Sequence, residues 1–135
     1  MSGSDIENNE STPAVRPFEC IVYEPDAFDT GELDAIEQRI GSGHCRLVTE
    51  PSGLAEQTAN GSRRLVLYRH GCSVETTRTL FDELERLEES LPAICVVDDG
   101  EWRGATSALR EGASDYLFVE QLYSEYLSEI LRASL

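Results

Sequence analysis

Five short apolar runs, FECIVY (18–23), CRLVTE (45–50), RLVLYR (64–69), AICVV (93–97) and DYLFV (115–119), alternate with segments long enough for one crossover each. Parallel strands need crossovers of that kind, usually helices, whereas antiparallel neighbours are joined by tight hairpins. The intervening segments carry helix signals. Asp29-Thr30-Gly31-Glu32 has the form of an N-cap with a carboxylate three residues on, and Leu33, Ile36 and Ile40 follow on one face. A short helix is expected from about Gly53 to Ala59, before Asn60-Gly61. Ser73 caps a helix with Thr77, Leu80, Phe81, Leu84, Leu87 and Leu91 at helical spacing. Residues 101–111 form another, ended by Gly112, and a last amphipathic helix carries Leu122, Tyr126, Leu127, Ile130 and Leu131. Residues 1–16 are polar and aperiodic and read as a disordered tail, which leaves one domain over 17–135.

Five strand–helix repeats with short links imply an α/β fold, a parallel sheet covered by helices on both faces in three layers. Right-handed crossovers leave few topologies, of which the flavodoxin-like strand order 2-1-3-4-5 is expected. A dinucleotide binder of the same pattern needs glycines directly after the first strand. This chain has Glu24-Pro25-Asp26-Ala27-Phe28 there, and its GSG (41–43) follows a helix instead.

Charge narrows the partners. The 135 residues hold 26 acids and 11 bases, every base is arginine, and the net charge is −15. Such a chain repels nucleic acid. The acids are spread over the whole sequence, as in proteins of a high-salt cytoplasm, rather than gathered in one patch. No apolar run is long enough to span a bilayer, and the N-terminus lacks the basic and apolar regions of a secretion signal. A cytoplasmic location without membrane contact is expected, either alone or as part of a larger protein.

The four cysteines, Cys20, Cys45, Cys72 and Cys95, contain no CxxC pair. Three lie in or beside strands and read as small buried hydrophobes. A zinc site from His44, Cys45, His70 and Cys72 would have to join opposite edges of the sheet, about 17 Å apart. No metal and no cofactor is therefore expected.

GATSALREGASDYLFV (104–119) resembles the fourth helix, loop and fifth strand of response-regulator receiver domains, most specifically over Ala108-Leu109-Arg110-Glu111-Gly112-Ala113-Ser114-Asp115-Tyr116-Leu117. PAICVV (92–97) is similar to the strand before it. The resemblance implies a CheY-like fold from Phe18 to Leu135 and a place in two-component signal transduction. Receivers take a phosphoryl group from a histidine kinase onto an aspartate ending strand three, with acids after strand one holding magnesium. A Ser/Thr ending strand four and a lysine ending strand five contact the phosphoryl oxygens. Here the phospho-acceptor position falls on Arg69, the Ser/Thr position on Val97 and the lysine position on Val119. Only the acidic pocket is partly kept, as Glu24 and Asp26. The carboxylate nucleophile and the cation that meets developing phosphoryl charge are both missing. The pattern implies a pseudo-receiver without catalytic residues.

Arg69 is expected to pair with Glu24 or Asp98, filling the former metal pocket with its own guanidinium. His70, beside it, reads as a solvated loop residue. Glu24, Asp26, Arg69, His70, Asp98 and Asp99 should converge on the carboxyl edge, where a cation site or an acid–base pair is the competing reading. The partner implied is a protein: a sensor kinase, an output domain or a second copy. Trp102, Tyr116, Tyr123 and Tyr126 are the candidate contacts, on the surface of residues 102–135 that receivers use for pairing. The alternatives are a divergent receiver that still answers a phosphoryl donor or cation, and a small-ligand binder or enzyme sharing the fold.

Overall fold

A computed structural model of the chain describes residues 18–56, 63–71, 73–87 and 90–135. The expected tail over residues 1–16 lies outside the described residues, as does Cys72. Five strands, β1 (Phe18–Tyr23), β2 (Cys45–Val48), β3 (Arg63–Arg69), β4 (Ala93–Val97) and β5 (Asp115–Phe118), form one sheet. All pairings are parallel, and the order is β2-β1-β3-β4-β5. This is the expected 2-1-3-4-5 order of a flavodoxin-like α/β fold. The helices are α1 (Thr30–Ile40), α2 (Val74–Arg86), α3 (Trp102–Glu111), α4 (Val119–Leu122) and α5 (Leu127–Arg132).

The strands have few polar residues because both faces are covered. Their period of two sorts side chains into two cores. Cys20, Val22, Leu65, Leu67, Ile94, Val96 and Leu117 face a layer that includes Ile36, Leu122, Leu127 and Leu131 of α1, α4 and α5. Ile21, Tyr23, Val66, Tyr68, Cys95 and Val97 face Leu80, Ala105 and Ala108 of α2 and α3. Both caps read from the sequence are present. Asp29 accepts from the Glu32 N–H at 2.8 Å while Glu32 accepts from the Asp29 N–H, and Ser73 accepts from the Thr76 N–H at 3.0 Å.

Several expectations change. The helix capped by Ser73 ends at Arg86; Leu87 is extended at its C-cap, and Leu91 packs into the core ahead of β4 rather than on the helix. Among the described residues the second crossover holds a 3-10 segment, Pro51–Ala55, and Glu56 is extended where a helix from Gly53 was expected to continue; residues 57–62 lie outside the description. Two arginines explain this. Arg46 donates to the carbonyls of Gly53 and Glu56, and buried Arg64 donates to those of Leu54 and Glu56. Carbonyls held by a guanidinium fork no longer need a helical partner. Gly53 also lies so close to β2 that a Cβ there would sit 2.8 Å from Val48 Cγ1.

β2 and β5 each end early, at Val48 and Phe118. Val119 is accordingly the first residue of α4, not the last of the strand. The C-terminal helix is split into α4 and α5 at Ser124, whose Oγ accepts from the Tyr126 N–H at 3.0 Å. A serine bonding to nearby backbone competes with helix continuation.

Candidate functional site

The carboxyl edge gathers the ends of β1, β3, β4 and β5 with the N-termini of α1 and α3. Arg69, the last residue of β3, is its centre. Its Nε donates to Glu32 Oε1 at 3.2 Å, Nη1 to the Val96 carbonyl at 3.2 Å, and Nη2 to Asp98 Oδ1. The Arg69 side chain is only 12% exposed and that of Glu32 6%, whereas Asp98 is 76% exposed. The two ion pairs therefore differ. The Glu32 pair is shielded from water, and the Asp98 pair is screened by it. Burial opposes the charge on Arg69 and is the largest single influence. Hydrogen bonds and charge from Asp98 and Glu32 together outweigh it, so the guanidinium pKa stands above its ordinary value.

The expected alternative partners were Glu24 and Asp98. Asp98 is one; Glu24 is not among the partners found. Glu32 takes that place, and a single oxygen, Oε1, serves both the Arg69 Nε and the Asp29 N–H. The capping carboxylate of α1 is thus also the counter-ion of β3. The signal for it was on the page in Asp29-Thr30-Gly31-Glu32. A capping box turns the N3 side chain back towards the helix start, and the helix that follows β1 starts at the carboxyl edge.

Glu24 has a different role. It sits in the left-handed region at φ 56°, and it is the only non-glycine residue with positive φ among the described residues. Its N–H donates to the Val48 carbonyl at 2.9 Å, so a strained backbone joins the exit of β1 to the end of β2. Asp26 is exposed on the 3-10 segment that follows, Pro25–Ala27. Asp99 accepts from the Glu120 N–H at 2.8 Å and so caps the first turn of α4. Of these acids, the Asp98 and Asp99 carboxylates are taken up by the Arg69 guanidinium and the Glu120 N–H, whereas Glu24 contributes through its backbone and Asp26 is exposed. Among the described residues no three His, Cys, Asp or Glu side chains are grouped as a metal ion would need.

His70 is not the free loop residue expected. Its N–H continues the ladder to the Val96 carbonyl at 2.8 Å, and its ring lies against the first turn of α3. A Cβ on Gly104 would meet the His70 ring at 2.9 Å, so the absence of a side chain there is what lets it approach. His44, just before β2, and Cys45, its first residue, lie at the other end of the sheet, away from His70.

Val97 is fully buried at the end of β4. Val119 packs, partly buried, against the α1–α5 core. Neither position offers a hydroxyl or a cation to the edge. The Phe118 N–H, next to it, donates to Gln121 Oε1 at 2.9 Å, which closes the end of β5 with a neutral amide.

The four aromatic residues expected at an interface separate into two groups. Trp102 is 60% exposed. Its ring meets Tyr116 edge-on at 6.1 Å and Phe118 at 4.7 Å. Phe118 completes this cluster and was not singled out from the sequence, because it read as one more strand residue. A shallow concavity of about 440 Å³, lined by Trp102, Arg103, Thr106, Ser107 and Arg110, adjoins it. Tyr123 and Tyr126 are exposed elsewhere, between α4 and α5. The Tyr123 hydroxyl lies over the first turn of α1, 3.2 Å from where a Cβ on Gly31 would be. Its pKa is raised, first by partial desolvation and then by the negative field of Asp29 and Glu32.

No helix among the described residues is long and apolar enough to cross a membrane. Neither a protein-family model nor a curated protein matches this chain.

Proposed function

We propose that the chain is a receiver-like module of two-component signalling that binds a protein partner without accepting a phosphoryl group. The observation that supports this reading above all is the Arg69 guanidinium, held by Glu32, Asp98 and the Val96 carbonyl at the end of the central strand. A phosphoryl acceptor at that address has to be a nucleophile, and a guanidinium has only donors. Those donors already meet oxygens of the chain itself, so the cation is neutralised in place rather than offered to an incoming phosphate.

Protein interaction is the use of the fold that this reading favours, with α3 and β5 as its surface. Trp102, Tyr116 and Phe118 supply rigid aromatic area of the kind that anchors protein interfaces. Arg103 and Arg110 line the adjoining concavity, a local positive strip on a chain of net charge −15.

An amide NMR titration with magnesium and beryllofluoride, a phosphoryl mimic, tests the reading. No saturable shift is expected at Arg69, His70, Val97 or Asp98. A saturable, magnesium-dependent change centred on Arg69 would establish a phosphoryl-responsive site and overturn it. Trp102→Ala should leave far-ultraviolet circular dichroism unchanged while abolishing association with a kinase, an output domain or a second copy.

A further inference from the structure

Cys20 of β1 and Cys45 of β2 are distant in sequence but directly opposite in the parallel ladder. Opposed residues of parallel strands project to the same face, and both cysteines belong to the core beneath α1 and α5. Neighbouring strands are about 4.8 Å apart. That spacing lies within the Cα separation of about 4.4–6.8 Å that a disulfide spans. Both are free thiols, and each shifts the other's pKa. Their surroundings differ. Cys20 is wholly buried, while Cys45 opens an edge strand and is partly exposed.

We propose that Cys20 and Cys45 are a redox-active pair that a hydroperoxide converts to an intramolecular disulfide joining β1 to β2. The asymmetry assigns the roles. The hydrogen bond from Cys20 lowers the Cys45 pKa, against burial and the charge of Glu37 on α1, which raise it. The same hydrogen bond, burial, the neighbouring Cys45 charge and Glu19 on β1 keep Cys20 protonated. Cys45, partly exposed on the edge strand, is reachable by a peroxide and is the attacking thiolate, and wholly buried Cys20 is the resolving thiol, as the direction of both shifts also favours.

In the first step Cys45 Sγ attacks one peroxide oxygen, the O–O bond breaks, and a sulfenic acid forms as the leaving oxygen takes a proton to become water or an alcohol. In the second, Cys20 Sγ attacks the Cys45 sulfur, the S–O bond breaks, and the hydroxyl leaves with the Cys20 proton as water. Two thiols are oxidised by two electrons and one hydroperoxide is reduced. Cys95 serves as an internal comparison, since its opposite residues in the ladder are Tyr68 and Tyr116 rather than cysteines.

The test uses the full chain carrying Cys72→Ser, treated with hydrogen peroxide, alkylated under denaturing conditions and mapped by peptide mass. The expected product is a monomer with one Cys20–Cys45 link and an alkylated Cys95. Cys45 is lost at least about tenfold faster than Cys95. Cys20→Ala should stop at a sulfenic acid on Cys45, captured by dimedone. If that variant lacks the circular dichroism of a folded chain, the peptide map of the Cys72→Ser protein decides alone. Loss of Cys45 and Cys95 at equal rates, or over-oxidation of Cys45 while Cys20 remains alkylatable, overturns the proposal.

Discussion

At the carboxyl edge of the sheet the last residue of β3 is a cation tied to two acids and a carbonyl, whereas at the amino edge the first residue of β2 is a thiol tied to another thiol. Both are contacts between neighbouring elements made by side chains at strand ends. Their energetics differ in kind. A shielded Arg–Glu pair is held by charges that neither partner can lose alone without stranding the other. A thiol pair is neutral, contributes little as it stands, and can be converted by chemistry. The first arrangement is held as it stands; the second can be converted by the oxidation proposed above. Arg46 and Arg64 extend the contrast, since they hold backbone carbonyls in the second crossover and not a functional edge. Arginine in this lysine-free chain is thus a structural clamp in at least three places, each meeting more than one acceptor.

The comparison can be broken most easily at Arg69. Arg69→Met keeps the aliphatic stem but leaves Glu32 buried with the Asp29 N–H alone. It should cost about 3 kcal/mol in urea unfolding at neutral pH, with Arg69→Lys recovering only part of that because a point charge cannot reach three acceptors. Gly53→Ala pushes a methyl group onto Val48 and should cost about 2 kcal/mol. The same substitution at Gly43, which has open space and no positive φ, should be near neutral. Glu24→Gly relieves the left-handed backbone and should raise the unfolding free energy, by up to about 1 kcal/mol.

Smallest in energy is the pH response of the thiol pair, read by alkylation. The Cys45 pKa is lowered in the folded chain, so its rate should climb below the ordinary thiol range. Cys20, pushed up, should lag well above it. Linkage gives the sign for stability. It rises as pH passes from the folded Cys45 pKa towards the unfolded thiol value, because the folded chain has already released a proton. It falls at higher pH, where the unfolded chain ionises Cys20 and the folded chain does not. A single shared midpoint for both cysteines would erase the asymmetry on which their roles rest.

The strand order was legible because buried parallel strands have to be apolar and because caps such as Ser73 and Asp29 mark helix starts locally. Arg69 was legible as a cation ending β3 at the carboxyl edge, and Asp98 as one of two candidate partners beside Glu24. Glu32 was hidden because it is the third residue of a helix, where a carboxylate already has a reason to exist. The Cys20–Cys45 pair was hidden more deeply. Register across parallel strands depends on crossover length and packing, and no local spacing records it. The second crossover misled for the opposite reason, since its composition permits a helix and only the distant Arg46 and Arg64 remove the need for one.

The central claim is that the carboxyl edge is closed by Arg69 acting with Glu32. A double-mutant cycle of Arg69→Met and Glu32→Gln, measured by urea unfolding, tests it most directly. A coupling of about 2 kcal/mol, with the double variant much less destabilised than the sum of the single ones, is the predicted result. A coupling below about 0.5 kcal/mol would mean that the two side chains contribute independently, and would contradict the account.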